Sequence, residues 1–414
     1  MARSRSLTAI LAPAVTAGLL TGVALVPSAA GVASARGVAH VPAAGTLLDA
    51  LADPAGNGLD YFGNAVAVSG HTAIVGARYA LGPVYIYVQG TSGWPGTPTA
   101  TLPDPVTSGS DGFGYAVSVS GATAAVGAQF TTSGGIVYVY TKGKSGWPTS
   151  PSASLPDPST GTFNGFGDAV AVDGSTIVVG APQADNGNGI AYVYVKGKAG
   201  WPTTPTATVA DPGDPGVSVI DNFGSAVAIS GRTFLVGAPG TNLFEGAAYV
   251  YAKGAGGWPT SPTATLPGPG VSGGQIFQFG WSLSISGTTA VVGSPGTGQG
   301  GGMTYVYVKG HGGWSPVPTA SLNDPGGKVN DHFGFSVAVA GTTVVAGAWG
   351  VDAQYGETYI FAKGGSGWSS TPTVSLPGAI YGHFGRAVAA SGSAVVIGAP
   401  YGLTYVGAAG IYQG

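Results

Sequence analysis

The sequence predicts an all-β protein, a ring of seven blades that each consist of four antiparallel strands. One segment, first seen from Phe62 to Ala77, occurs seven times in all at steps of 51 to 57 residues, which is the pattern of a repeat architecture. Glycine accounts for 76 of the 414 residues and charged residues for only 7%, which favours short strands and tight turns over long solvated helices. Each copy opens with Phe-Gly and ends near Gly-Ala or Gly-Ser; the copies begin near residues 62, 113, 166, 223, 279, 333 and 384.

The second repeat shows how one unit supplies four strands. Residues 116–121, AVSVSG, alternate small and branched side chains, and ATAAVGA follows after a turn that is short enough for a hairpin. In the third strand, IVYVYTKG, Tyr138 and Tyr140 share one face because side chains alternate along a strand. A turn containing Gly-Trp-Pro then leads to a fourth strand that ends in LPDP. Seven such units match the blade size and blade number of β-propellers.

The two ends of the chain predict how the ring closes. The seventh repeat stops at GIYQG, Gly410 to Gly414, one strand short of a complete blade. The segment ending in LADP before the first repeat resembles the fourth-strand ending LPDP. We therefore expect residues 45–51 to pair with the strand that ends at Tyr412, which removes the exposed edge.

The first 35 residues have the composition of a secretory signal peptide. Arg3 and Arg5 precede an uncharged, mostly apolar run from Leu7 to Val26, and Ala33-Ser34-Ala35 fits a cleavage site. The alternative is an uncleaved membrane anchor, since about 20 uncharged residues just span a bilayer. The expected organisation is a signal peptide at 1–35 cleaved after Ala35, a short segment at 36–44, and one propeller at 45–414. The mature chain is then secreted, without a membrane span.

Composition excludes several classes of protein. There is no cysteine, so disulfides and thiolate metal sites are ruled out. A net charge of −3, with no basic stripe interleaved with aromatic residues, argues against nucleic-acid binding. A monomer without a cofactor is expected.

Aromatic residues recur once or twice in nearly every repeat. A pair of aromatic residues marks the third strand, and a tryptophan follows it at positions 94, 147, 201, 258, 314 and 368. Residues repeated in every blade usually pack blade against blade, so these tryptophans are interpreted as core. The alternative is a lectin-like propeller, which requires the same tryptophans to be exposed.

The Phe-Gly openings, the three Gly-Ala-Pro endings (residues 180–182, 237–239 and 398–400) and the run GAAYVY at 246–251 resemble the FG-GAP repeat family. That family includes the seven-bladed head of integrin alpha chains and many secreted bacterial proteins, so the resemblance implies a propeller used for adhesion or ligand binding. Integrin-type repeats often carry an acidic calcium loop, DxDxDG. Here the matching turns read SGHT, SGAT, DGST and similar, so no calcium site is carried over there.

Loop composition divides the ring into two faces. The loops before Phe-Gly and after Gly-Ala emerge on one side and vary in length and chemistry; we call this side the variable face. The SGxT turns and the lysine-containing KGxxGW turns emerge on the other side and are nearly alike; we call it the uniform face. Specificity usually lies in variable loops on a uniform scaffold. The predicted ligand-binding residues are therefore Trp349, Asp352, Tyr355, Arg78, Asp185 and Glu245.

Five repeats share an Asp-Pro pair whose aspartate is followed seven positions later by Asp or Asn. Such side chains commonly satisfy local turns. The alternative is calcium bound by oxygen ligands, for which the candidates are Asp60, Asp111, Asp221 and Asp331.

Catalytic motifs are absent from the sequence. There is no GxSxG elbow, because the one GxSxG match, GVSGG at 270–274, lies in a glycine- and proline-rich loop and not between a strand and a helix; there is also no HExxH and no phosphate-binding glycine loop. His332 and His383 each precede a Phe-Gly and suggest a metal pair, but a third ligand is lacking. The sequence therefore favours a secreted, integrin-like binding or adhesion module for an extracellular protein or polysaccharide. The alternatives are a glycan-binding propeller and, behind it, an enzyme that cleaves polysaccharides or phosphoesters with carboxylates at the channel mouth.

Overall fold

The structure is a computed structural model that describes residues 42–56, 60–78, 82–106, 111–131, 134–159, 163–213, 220–268, 277–296, 301–379, 382–401 and 407–414. The predicted signal peptide, its cleavage after Ala35 and most of the segment at 36–44 lie outside the described residues. Among the described residues, no helix is long and apolar enough to cross a membrane.

The described chain forms seven antiparallel sheets, as the sequence predicts. The first strand, β1 (Leu47–Ala52), belongs to the last blade. Blade 1 consists of β2 (Ala65–Ser69), β3 (Thr72–Gly76), β4 (Val84–Val88) and β5 (Ala100–Leu102); blade 2 of β6 (Ala116–Ser120), β7 (Thr123–Ala128), β8 (Ile136–Thr141) and β9 (Ala153–Pro156). Blade 3 consists of β10 (Ala169–Asp173), β11 (Thr176–Ala181), β12 (Ile190–Val195) and β13 (Ala207–Ala210); blade 4 of β14 (Ala226–Ser230), β15 (Thr233–Ala238), β16 (Ala247–Ala252) and β17 (Ala264–Pro267).

The later blades repeat the same order. Blade 5 consists of β18 (Ser282–Ser286), β19 (Thr289–Ser294), β20 (Met303–Val308) and β21 (Ala320–Asn323). Blade 6 consists of β22 (Ser336–Ala340), β23 (Thr343–Ala348), β24 (Glu357–Gly364) and β26 (Val374–Pro377), with the two-residue β25 (Gly367–Trp368) in its outer turn. Blade 7 consists of β27 (Ala387–Ser391), β28 (Ala394–Ala399) and β29 (Ala408–Gln413), completed by β1. Two single turns, α1 (Thr241–Phe244) and α2 (Val351–Gln354), lie in loops of the variable face.

The ring closes through the N-terminal strand, which confirms the prediction made from the two termini. β1 runs antiparallel to β29 and places Leu47 opposite Tyr412 and Leu51 opposite Ala409. The backbone N–H of Gly45 also donates to the carbonyl of Gln413 at 2.7 Å. The outer edge of the last blade is thereby paired.

The core lies between adjacent blades. Each Phe-Gly phenylalanine described here is buried or half-buried, and it meets an aromatic side chain of the third strand; Phe62 packs edge-on against Tyr85 with ring centroids 5.5 Å apart. Ile74 and Ile86 of blade 1 pack in one cluster with Phe113 and Val126 of blade 2. The alternation along each strand thus supplies two apolar faces, one for each neighbouring blade.

Glycines set how closely the blades approach near the axis. A Cβ built on Gly180, at the end of β11, would lie 1.9 Å from the carbonyl oxygen of Gly224 in the next blade. The same contact recurs around the ring at 1.9 to 2.3 Å, from Gly76 to Gly114 through Gly398 to Gly63. No side chain fits in that space, which explains why both the Phe-Gly and the Gly-Ala glycines recur.

A ligand cavity at the variable mouth

An axial cavity of about 390 Å³ opens on the variable face. Because β2 and its six counterparts all start at this end of the axis, the residue directly after each Phe-Gly lines the cavity. These seven residues all differ; they are Asn64, Tyr115, Asp168, Ser225, Trp281, Phe335 and Arg386. We call this end of the axial channel the variable mouth.

Two arginines stand on one side of the variable mouth. Arg78 follows β3, and its guanidinium lies over the rings of Tyr61 and Tyr115 at 5.4 and 5.3 Å. Its Nε is buried and makes no hydrogen bond. Arg386 lies over Phe335 at 5.0 Å and over Tyr401 at 5.5 Å. Both cations are therefore held by aromatic faces rather than by carboxylates.

Charge balance at the mouth is incomplete. In the described parts of the chain, the only ion pair joins Lys328 and Asp352 on the surface, at 3.8 Å. Burial lowers the pKa of Arg386, and the nearby Arg78 lowers it further. Two guanidiniums thus share one cavity, and no carboxylate of the described residues lies within ion-pair distance of either.

Asp168, the one acidic residue among the described residues that line the cavity, is engaged by neutral donors. The side chains of Tyr115 and Gln129 hydrogen-bond to its carboxylate. Burial nevertheless outweighs these bonds and the attraction of Arg78, and raises the pKa of Asp168 to about 6. Asp168 is therefore close to losing its charge at mildly acidic pH.

An aromatic arc runs along the arginine side of the mouth through Tyr61, Tyr401, His383, Trp349 and His332. Successive ring centroids are 4.9, 4.4, 4.6 and 4.4 Å apart. Trp349 is stacked between the two histidine rings, so the histidines lie on opposite faces of an indole and do not converge on a metal. Burial lowers the pKa of His332 and lowers that of His383 to about 4. Both rings are neutral at physiological pH.

The six predicted binding residues separate into two groups. Arg78 lines the cavity, and Trp349 lies in the aromatic arc with Arg386 5.9 Å from its ring. The other four do not line the cavity: Asp352 pairs with Lys328, Tyr355 is 43% exposed, and Asp185 and Glu245 accept local hydrogen bonds from Asn188 and Asn242.

Sequence reasoning missed Arg386, Asp168 and Tyr115. The signal that could have found them is the variation at the position after Phe-Gly, where seven repeats hold seven different residues.

Exposed apolar side chains gather around the same face. Of the nine large apolar side chains that are exposed among the described residues, seven lie in loops of the variable face: Phe130, Phe163, Ile220, Leu243, Phe244, Val329 and Tyr355. Phe130 and Phe163 stack on each other with centroids 5.5 Å apart. Exposed apolar side chains on the face that carries a cavity are typical of an interaction surface.

The repeated tryptophans are not part of this surface. Trp94 and Trp258 are buried and the other four are half-buried. They lie in the turns of the uniform face, where a lysine covers three of the indoles; Lys363, for example, lies 4.7 Å from the ring of Trp368. The lectin hypothesis that relied on exposed repeated tryptophans is therefore wrong in that form.

The paired aspartates act mainly as turn residues. Asp60 accepts a hydrogen bond from the N–H of Phe62 at 3.2 Å, and Asp111 accepts one from Phe113 at 3.0 Å. Asp331 accepts one from the N–H of Lys328 at 3.3 Å, and Asp221 is buried. Among the described residues, no three metal-binding side chains converge. Burial and the neighbouring Asp53 raise the pKa of Asp60 to about 6.

The opposite end of the channel, which we call the uniform mouth, is bordered by a belt of hydrogen bonds. In six of the seven blades, the last residue of the innermost strand accepts a hydrogen bond from the turn glycine of the next blade. Ser69 accepts from Gly121 at 3.2 Å, and Ser230 accepts from Gly287 at 3.1 Å. The other acceptors are Ser391, Ser120, Asp173 and Ser286. At the seventh position the acceptor is missing, because residue 340 is alanine.

Comparison with known proteins supports the same architecture. No curated protein sequence matches the chain significantly. Among solved structures, the crystal structure of the computationally designed Ika8 protein is similar, with 14% sequence identity, a TM-score of 0.45, and coverage of 89% of this chain and 100% of that one. The family model described as FG-GAP repeat matches residues 49–87, 97–140, 155–194, 215–251, 276–307 and 317–361. Because these six segments cover more than half of its length, the chain belongs to the FG-GAP repeat family.

Proposed function

We propose that the protein is a secreted binding module, integrin-like in architecture, that holds an extracellular ligand on its variable face. The observation that carries this proposal is the coincidence of two features on one face. The axial cavity opens there, and of the nine large apolar side chains that are exposed among the described residues, seven lie in loops of that face. The ring supplies a rigid frame, and the loops supply the contacts.

Secretion is supported by the composition of residues 1–35 and by the family. FG-GAP repeats are typical of extracellular proteins, and the N-terminal pattern predicts export. Adhesion to another cell or to a matrix would follow from the same surface.

A glycan is the second candidate ligand, because the cavity combines aromatic rings with hydroxyl and amide groups. Trp281 and Phe335 supply ring faces, and Asn64, Asn222 and Ser225 supply polar groups. This recipe is typical of small-molecule sites. The glycan hypothesis therefore rests on the residues of the axial cavity and no longer on the repeated tryptophans.

Hydrolysis by a pair of carboxylates finds less support than binding. Such chemistry requires two acidic side chains about 5–9 Å apart at one pocket. Of the described residues that line the cavity, Asp168 is the only acidic one. Binding without catalysis is therefore the proposal.

The test is capture of extracellular ligands by the purified mature chain, immobilised through its uniform face. Matrix proteins, cell-wall polymers and glycans are presented in turn. We expect one ligand to bind saturably and to lose most of its affinity on Trp349→Ala and on Phe130→Ser, which removes an exposed ring from the rim. His71→Ala is the matched control, since this exposed ring lies on the uniform face. The proposal fails if binding survives both variable-face changes, or if no ligand is captured.

A further inference from the structure

The variable mouth carries two arginines that form no ion pair with any described residue. Arg78 and Arg386 both line the cavity, and each rests on aromatic rings. The rings of Tyr61 and Tyr401, which bear one arginine each, are themselves only 4.9 Å apart. Burying two cations side by side costs free energy unless an anion joins them.

Asp168 is poorly suited to be that anion. Its carboxylate is hydrogen-bonded by Tyr115 and Gln129 of the neighbouring blade and makes no ion pair. Tyr115 also lies between Arg78 and Asp168, because its ring contacts the guanidinium and its hydroxyl group the carboxylate. The space beside Arg78 and Arg386 is therefore suited to an anion supplied by a ligand.

The rest of the mouth is divided by chemistry around the ring. Blades 7 and 1 supply the arginines, and blades 3 and 4 supply amide and hydroxyl groups from Gln183, Asn222 and Ser225. Blades 5 and 6 supply the indole of Trp281 and the ring of Phe335, whose centroids are 5.5 Å apart. A fitting ligand therefore has an anionic group, several hydroxyl groups and one apolar face.

We propose that the variable mouth binds a saccharide bearing a carboxylate, such as a uronic acid residue, with the carboxylate between Arg78 and Arg386. This inference rests on the proposed binding function and names its ligand class. Guanidinium groups bind carboxylates through two parallel hydrogen bonds. The sugar hydroxyls meet the amides of blades 3 and 4, and the C–H face of the ring lies on Trp281 and Phe335.

An acidic peptide is the competing ligand, and the cavity favours it less. A peptide carboxylate would use the arginines, but it offers few hydroxyl groups for the amides and Ser225. The cavity volume of about 390 Å³ suits a compact, polyhydroxylated group held from several sides.

The experiment measures binding of the full mature chain to oligosaccharides that contain glucuronate, galacturonate, mannuronate or sialate. Each oligosaccharide is paired with its carboxyl-reduced form, which keeps the ring and hydroxyl groups but lacks the charge. A tetraglutamate peptide represents acidic peptides. Arg386→Gln removes one cavity cation, and Arg232→Gln is the matched control, because Arg232 is exposed in a uniform-face turn. Thermal unfolding of each variant verifies that it is folded.

We expect at least one acidic oligosaccharide to bind, its reduced form to bind at least about tenfold more weakly, and Arg386→Gln to cause a similar loss while Arg232→Gln causes none. One tenfold change equals about 1.4 kcal/mol. Equal binding of the acidic and reduced forms overturns the inference. Arg386-dependent binding of tetraglutamate alone also overturns it, yet leaves the proposed binding function standing. Ligand capture that depends on Phe130 but not on Arg386 likewise overturns the acidic-saccharide inference and leaves the proposed binding function standing. If nothing binds at all, the inference and the proposed function are both wrong.

Discussion

At the variable mouth, adjacent blades meet through backbone, whereas at the uniform mouth they meet through side chains. Gly180 touches the carbonyl of Gly224 so closely that no Cβ fits between them. At the other end of the same strands, Ser69 and Ser230 join neighbouring blades through hydroxyl groups. Both ends hold the ring together, but they make different demands on the sequence.

The difference explains where variation is tolerated. Because glycine backbone makes the contact at the variable mouth, the residue after Phe-Gly is free to point into the cavity and to differ in every blade. At the uniform mouth the side chain itself is the contact, so its identity is restricted to serine or aspartate in six blades. The start of each innermost strand, at the variable mouth, is thus available for ligand recognition. Its end, at the uniform mouth, holds adjacent blades together.

The largest expected effect comes from breaking the backbone contact. Gly180→Ala places a Cβ 1.9 Å from the carbonyl of Gly224, and overpacking of this kind costs about 3 kcal/mol, or about 4 °C in Tm for a chain of this length. Gly174→Ala at the uniform mouth meets open space and suffers only from its φ of +55°, which costs about 1 kcal/mol. Equal losses in equilibrium unfolding would contradict the backbone account.

Charge at the variable mouth should respond to pH through Asp168. Its pKa of about 6 means that it loses its negative charge between pH 7 and pH 5, while the pKa of His383, about 4, keeps that ring neutral. An acidic saccharide should therefore bind about three- to tenfold more tightly at pH 5 than at pH 7. Of the groups that face Asp168, Tyr115 has a pKa that burial raises above its usual value of 10, and Gln129 carries no titratable group.

Asp168→Asn isolates this effect. The variant should bind the acidic saccharide more tightly than the wild type at pH 7 and should show a nearly flat pH profile, as followed by calorimetry. A profile that keeps its slope in the variant would assign the pH dependence to another group.

The paired aspartates supply a third comparison, since blade 3 has Asn164 where blade 1 has Asp60. Asn164 donates to Ser159, which in turn donates to Asp157, whereas Oδ2 of Asp60 is buried without a donor. The folded pKa of Asp60, about 6, lies above the reference value of 3.8. Its protonated form therefore stabilises the fold below pH 3.8, and that contribution is lost as the pH rises through 6.

Asp60→Asn should therefore raise the free energy of unfolding by about 1–2 kcal/mol more near pH 7.5 than near pH 5. Chemical denaturation at the two pH values measures this difference. Millimolar calcium tests the alternative role of Asp60 as a calcium ligand. If calcium stabilises the wild type and not the variant, Asp60 and Asp53 bind a cation, and Asp60 is not stabilised by protonation.

Sequence periodicity was sufficient to predict the blades, their four strands and the closing pair β1 and β29, because each rests on a repeated local pattern. The site was only half accessible to such reasoning. Trp349 stood out by breaking the repeat, and Arg78 by its place in a variable loop. Arg386 and Asp168 come together only because the ring brings blades 7 and 3 to one axis, a long-range contact that no local pattern records. The same applies to the stacking of Trp349 between two histidines.

The smallest expected effect would complete the uniform mouth. Ala340 occupies the one position of the belt that lacks an acceptor, opposite Gly392 of the next blade. Ala340→Ser should add a hydrogen bond from the Gly392 N–H and raise the free energy of unfolding by about 0.5 kcal/mol, the low end for a partly exposed bond. Ser230→Ala, which removes an existing bond at 3.1 Å, should cause a loss of similar size. If Ala340→Ser is neutral while Ser230→Ala destabilises, the gap between blades 6 and 7 is too wide for the bond. The belt then stabilises six interfaces, and the seventh depends on its glycine contact and apolar packing.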